Sequence, residues 1–417
     1  MLRCEAPNTP VVDYCLREAD RLLRAGGLET ADVLLRVDPA QGKAIALESE
    51  GLHAVLSGRN ESDLRCALYL FFESLGCLFR FSGEALRFDR LQNGAFPTQR
   101  QEIEPPLRYR GIRMHLNFVQ DQSCFTEDEF AAFVDNVAKM KLNYLLFHMY
   151  NPQEWYPFTY RGLEHLDLSV GNLNRKPLDP AMIGRERIRV KEHWFPADLE
   201  AVRDTRQLRD AMQARYARMM TRAKERGIRV AASIEPEALP EAFEQALPAW
   251  SDTLVNNASS LVNDWQQGWS GKKVIEADVR SPLLVDIAVS RCLALLDAYP
   301  MLDELQLISR EGTAWKRDDP AEYEAEYRRL TETYGLAPNA IDWSACHRVV
   351  PEVAGEYPVS PRVNPYWTVL PGDDYRATVL GAIRYAEFVR AILADERIQR
   401  VARERGVRFT AAIYSPN

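Results

Sequence analysis

Nothing in this sequence reads as a disulfide framework or a structural metal cage. The seven cysteines are scattered, odd in number and free of CxxC pairs or zinc-type spacing, which sets both devices aside. Cys66 and Cys77 sit among apolar residues and read as core thiols. Long apolar runs are missing as well. The opening MLRCEAPNTPVVDY lacks the apolar stretch of a signal peptide, and no segment reaches membrane-spanning length. As written, the chain is expected to be soluble and cytoplasmic, or periplasmic or secreted were its N-terminus incomplete. Runs of like charge are absent too. With 52 basic and 60 acidic residues and a net charge of -8, there is no concentrated basic face for a nucleic-acid partner. What is present is apolar substance. Over 417 residues, 46% are hydrophobic, enough for full cores in more than one domain.

The clearest organised stretch runs from Arg108 to Trp155. RYRGIRMHLNF reads as a strand ending in His115 and Asn117. Thr126 with Glu129 three residues later forms a capping box, and Phe130, Phe133, Val134, Val137 and Met140 recur at helical spacing. Asn143 to Phe147 is then an apolar run of strand length closed by His148. Strand, helix and strand in this order predict a parallel βαβ unit, whose chemistry is expected at the strand C-termini.

Upstream, helices are predicted at Asn8 to Ala25 and Glu61 to Gly76, with strands at Ala31 to Val37 and Lys43 to Leu47. This is a small α/β sandwich over residues 1–100. Gln92 to Pro106, with three prolines and several polar residues, reads as a linker. Downstream, from residue 107 to 417, a helix at Arg206 to Arg226 leads to the strand IRVAASI, which closes on Glu235 and Glu237. A helix at Ser281 to Ala298 leads to the strand DELQLIS, which closes on Arg310 and Glu311. A further helix is expected at Pro320 to Tyr334, then a single long one from Asp374 to Arg405 before a fifth strand. Long insertions follow the strands and short turns precede them, the asymmetry of a (β/α)8 TIM-type barrel. Five strands rather than about eight predict a barrel cut short. An open doubly wound sheet is the rival, though its glycine-rich phosphate turn is missing.

These motifs resemble the β-N-acetylhexosaminidases of glycoside hydrolase family 20 and the related α-glucuronidases of family 67. Both place a small α/β domain ahead of a catalytic barrel. RYRGIRMHLNF resembles the first barrel strand with its Arg-Gly, KMKLNYLLFHMYNPQEW the second with its Lys-x-Asn and terminal His, and RGIRVAASIEPEALP the third. ALYLFFESLGCLFRFSGE is similar to the end of the small domain. At the fourth strand, family 20 carries an Asp-Glu pair. Here it is Arg310-Glu311, so Glu311 takes the acid position while the residue orienting the acetamido group is replaced. An arginine fork suits a carboxylate, which makes a uronic acid sugar conceivable.

The resemblance implies an exo-acting glycoside hydrolase acting on a terminal hexosaminide- or uronide-like sugar, with carbohydrate as its partner and no cofactor. Glu311 is the expected catalytic acid, the alternative being a rim salt bridge with Arg310. Glu235 is the expected substrate-orienting carboxylate. It flanks Pro236 together with Glu237, and only one of the two is expected to face the pocket. Arg110 resembles the arginine that grips sugar hydroxyls, with pairing to a core acid as the other reading. His115 and His148 could bond a sugar or pack as polar core. Among the aromatic residues expected in loops, Trp155 is the candidate for stacking on a sugar, and most of the others are expected to anchor the loops. Two further classes stay open. One is a non-catalytic carbohydrate-binding protein with a degenerate barrel, and the other a metal-dependent barrel hydrolase, disfavoured because the first strand offers His-Leu-Asn rather than His-x-His.

Overall fold

The computed structural model describes residues 1–116, 122–149, 155–166, 195–239, 281–309, 320–335 and 372–413, with 243, 275–276 and 337 besides. The chain divides into two compact units. The first comprises Met1–Tyr150, Gly171–Ser233 and Leu296–Glu304, the second Asn151–Val170, Ile234–Leu295 and Leu305–Asn417.

The first unit begins with β1 (Leu2–Glu5), α1 (Pro10–Ala25), β2 (Asp32–Val37), β3 (Ile45–Gly51), β4 (His53–Gly58) and α2 (Glu61–Ser74). A hairpin of β5 (Leu78–Arg80) and β6 (Gly83–Ala85) follows, then β7 (Phe96–Ile103). The sheet order is β1-β2-β4-β3-β7, parallel from β1 to β4 and antiparallel across β3. Both helices start on side-chain caps: Thr9 accepts from the Val12 amide at 3.4 Å and Asn60 from the Asp63 amide at 3.0 Å. Leu22, Leu64, Leu68, Phe71 and Phe72 are among the buried side chains that these helices contribute to the core.

The stretch expected to be a linker, Gln92 to Pro106, instead carries strand β7. Its polar sequence PTQRQEI suits an edge strand: Phe96 is buried, whereas Arg100, Gln101 and Glu102 are all exposed. Pro97 is tolerated at such an edge, and its carbonyl accepts from Ser49 Oγ at 2.7 Å.

The predicted βαβ unit follows as β8 (Gly111–Leu116), α3 (Glu127–Lys139) and β9 (Tyr144–Met149). The capping box is present: the Thr126 hydroxyl accepts from the Glu129 amide and the Glu129 carboxylate from the Thr126 amide. The hairpin β10 (Thr159–Tyr160) and β11 (Leu163–Glu164) belongs to the second unit. The chain then returns to the first with α4 (Thr205–Lys224) and β12 (Arg229–Ile234). β8, β9 and β12 pair in parallel in that order. Phe130 of α3 meets Phe147 of β9 and Tyr216 of α4 at centroid distances of 6.1 and 5.9 Å. Arg222 of α4 bonds both oxygens of Asp135 on α3, at 2.9 and 2.6 Å.

One arginine ties the small α/β layer to the N-terminal ends of these strands. Arg65, on α2 and fully buried, donates to the carbonyl of Leu142 just before β9 at 2.7 Å and to that of Arg226 just before β12 at 2.6 Å. At the same end Gly111 lets β8 approach β9. A Cβ there would stand 2.3 Å from the Tyr144 carbonyl oxygen, so no larger residue fits without displacing the strand.

In the second unit, β13 (Ala238–Leu239) and β14 (Ile275–Glu276) pair antiparallel. They are followed by α5 (Pro282–Ala298), β15 (Glu304–Ile308, whose first residue belongs to the other unit), α6 (Pro320–Tyr334), α7 (Gly372–Ala394), α8 (Glu396–Arg405) and β16 (Arg408–Ala412). β15 and β16 are neighbours, with the Ser309 amide donating to the Ala412 carbonyl at 2.9 Å. Tyr323 and Leu330 of α6 pack with Leu380 of α7. The single long helix expected from Asp374 to Arg405 is two. Asp395 interrupts it with extended backbone and accepts from the Arg397 amide at 2.9 Å, because a short acidic side chain caps a new helix better than it continues an old one.

The protein is thus mixed α/β and contains a parallel sheet. No closed barrel is formed among the described residues.

Candidate functional site

Three parallel strands bring polar residues into one row. The register places His115 of β8 opposite His148 of β9, and His148 opposite Ser233 of β12. All three lie toward the C-terminal ends of their strands. His148 is 1% exposed and Ser233 fully buried, and His148 Nδ1 stands 2.7 Å from Ser233 Oγ. The bond restrains the ring's rotation. Which partner carries the proton follows the histidine tautomer.

Arg110 lies elsewhere. It precedes β8, at the opposite end of the strand from His115, and its guanidinium faces backbone rather than a strand-end pocket. Nη1 donates to the Leu107 carbonyl at 2.8 Å, Nε to the Lys141 carbonyl at 3.3 Å, and Nη2 approaches Cys66 Sγ at 3.7 Å. The expected grip on sugar hydroxyls is therefore replaced by a turn-bracing role. Asn143 of the Lys-x-Asn motif does related work. Its Oδ1 accepts from the Arg110 amide at 2.8 Å and its Nδ2 donates to the Arg108 carbonyl at 2.9 Å. Lys141 adopts φ of 64° and pairs with Glu73. These motif residues hold the βαβ unit to its base.

Trp155 and Tyr156, in the second unit, are fully buried, which corrects the expectation of a sugar-stacking Trp155 in favour of an anchor for its loop. Trp194, Trp265, Trp269, Trp315, Trp343 and Trp367 lie outside the described residues. So do Arg310 and Glu311, the expected fork and the expected catalytic acid.

The second unit contains Glu235 and Glu237. Both are buried, at 2% and 5% exposure, rather than one facing inward and one out. Glu235 follows the end of β12, Pro236 and Glu237 form the turn before β13, and Arg291 Nη1 holds the intervening Pro236 carbonyl at 3.0 Å. Burial raises the Tyr385 phenol well above its ordinary range, and the charges of Glu237 and then Glu235 push it further. Sequence reasoning missed both Ser233 and Tyr385. Ser233 was legible only through strand alternation with Glu235, and Tyr385 sits on a helix far along the chain with no local signal.

Among the described residues, no group of three or more His, Cys, Asp or Glu could hold a metal ion, and no helix is long and apolar enough to cross a membrane.

No family model matches the chain, and no curated protein matches it. Solved structures do resemble it in part. A family 20 exo-β-N-acetylglucosaminidase from Vibrio harveyi matches at 12% identity and a TM-score of 0.48, over 98% of this chain and 50% of that one. An N-acetyl-β-hexosaminidase from Streptomyces plicatus matches at 16% identity and a TM-score of 0.43, over 79% and 58%. A family 138 enzyme targeting pectin rhamnogalacturonan II matches at 11% and 0.43, over 74% and 30%. The chain spans about half the length of the hexosaminidases it matches.

Proposed function

We propose that this chain belongs to a glycoside hydrolase that removes a terminal hexosaminide- or uronide-like sugar from a glycan, on strands of the (β/α)-barrel type. The observation that carries this reading is the row of His115, His148 and Ser233 across three consecutive parallel strands, toward the ends where barrel enzymes keep their chemistry. Two residues after Ser233 the chain supplies Glu235, and the next strand of the motif series closes on Glu311.

In this reading Glu311 donates a proton to the leaving oxygen, as glycoside hydrolysis requires of one carboxyl group. His148, bonded to Ser233 Oγ, bonds the sugar, with His115 opposite it in the strand register. Glu235 orients the substrate. Arg310, standing where family 20 has aspartate, argues against acetamido assistance and supplies a fork for a carboxylate.

Hydrolysis of aryl glycosides by the full chain and by Glu311→Gln tests the proposal. Steep loss of turnover with retained carbohydrate binding is expected, and unchanged turnover would remove Glu311 from the chemistry. A non-catalytic carbohydrate-binding role is the second reading, favoured by the same loss of the family's aspartate. It predicts sugar binding without turnover in the unaltered protein.

A further inference from the structure

His148 Nδ1 and Ser233 Oγ stand 2.7 Å apart, and the distance alone allows either atom to donate. The serine decides between them. Its side chain is fully buried, so water supplies no second partner, and among the described residues its hydroxyl makes no hydrogen bond other than the one to Nδ1. A buried hydroxyl must place its one proton on an acceptor. Were Nδ1 protonated, in the Nδ1–H tautomer or in the imidazolium, it would donate to Oγ and leave the serine proton without an acceptor. An unmade buried bond of that kind weighs against a state by about ten-fold or more. With Oγ–H donating to Nδ1, the serine is satisfied.

The consequence falls on the ring's other nitrogen. A neutral imidazole carries one proton, so an accepting Nδ1 places it on Nε2. The ring then has one N–H to give and no unused lone pair with which to take a proton. This sets His148 aside as a general base and leaves proton transfer to carboxyl groups, as glycoside hydrolysis requires. The sheet makes the arrangement stiff. His148 and Ser233 are register partners on adjacent parallel strands, so the geometry of the pair comes from the ladder rather than from a loop.

We propose that Ser233 is a positioning residue: by donating to Nδ1 it holds His148 as the neutral Nε2–H tautomer, a hydrogen-bond donor to an oxygen of the sugar. The sugar contact rests on the glycosidase reading above, whereas the tautomer rests on the pair alone.

Nitrogen-15 NMR of the histidine side chains in the full chain tests it, with the His148 signals assigned by their loss in His148→Gln. At neutral pH His148 shows an unprotonated Nδ1 and a protonated Nε2. In Ser233→Ala the Nδ1 resonance shifts as its donor is lost, and the Nδ1–H tautomer becomes populated. N-acetylglucosamine or glucuronate, added to the unaltered protein, shifts the Nε2 resonance. A protonated Nδ1 in the unaltered protein overturns the assignment, and that spectrum is read whether or not the variant folds. An unmoved Nδ1 resonance in folded Ser233→Ala overturns the role of the serine. Sugar binding that leaves Nε2 unmoved overturns the contact and leaves the glycosidase reading standing. Failure of the unaltered chain to bind either sugar also overturns the contact, and aryl-glycoside turnover in the same sample then decides whether the glycosidase reading falls with it.

Discussion

His148 and Ser233 meet across two parallel strands, with imidazole Nδ1 2.7 Å from the serine Oγ and both side chains sealed from solvent. The serine bonds one nitrogen of the ring. Replacing it with alanine strips one buried nitrogen of its bond, and Ser233→Ala is expected to cost about 1–3 kcal/mol of stability. Urea unfolding measures this, and the nitrogen chemical shifts of His148 report the lost bond. A loss below about 0.5 kcal/mol would mean that the bond is not closed in solution.

Arg65 gives the other end of the same strands their footing. One guanidinium serves the turns ahead of β9 and β12, so Arg65→Met leaves two carbonyls without their donor. The expected cost is about 2–4 kcal/mol, the sum of two hydrogen bonds from a charged group less the gain from not burying it. Denaturant unfolding checks it. A variant as stable as the parent would show that the small α/β layer does not brace the sheet.

Gly111→Ala tests the close approach of β8 and β9. The new methyl would overlap the Tyr144 carbonyl, and overpacking of this kind costs about 1–3 kcal/mol. Thermal unfolding should show a fall in Tm, and an unchanged Tm would mean that the strands have room to separate.

These positions also show what the sequence could and could not disclose. Helix α3 was legible because its start signal is local: Thr126 and Glu129 satisfy each other's backbone within one turn. Strand β7 was not, because an edge strand with one open face needs few apolar residues and PTQRQEI reads as solvent-loving chain. The break at Asp395 hid inside continuous helical periodicity. His148 stood out as a polar residue closing an apolar strand, whereas its bond to Ser233 depends on a pairing of strands 85 residues apart. The Arg-Gly and Lys-x-Asn motifs were visible as signatures of a family resemblance, but their work here is mechanical. Arg110, Gly111, Lys141 and Asn143 gather where the strands begin, far in register from His115 and His148.

The α3–α4 ion pairs give a pH signature. Hydrogen bonds from Arg218 hold the Glu127 carboxyl below the usual glutamate range. A folded-state value below the unfolded one, about 4.3, contributes stability that is present above that pH and lost as pH falls through the lowered folded value. The pair is largely exposed, at 52% and 38%, so solvent screening keeps the effect small. The stability gap between the parent and Glu127→Gln should therefore narrow as pH drops from about 5 to 3. A gap that does not change with pH would contradict the assignment.

The central claim is that this chain hydrolyses glycosidic bonds with Glu311 as the acid. Its most direct test is the rate of aryl-glycoside hydrolysis by purified Glu311→Gln set against the unaltered protein. The account predicts measurable turnover in the parent and a loss of about 10²-fold or more in the variant. Equal rates, or none in either protein while sugar still binds, would contradict it.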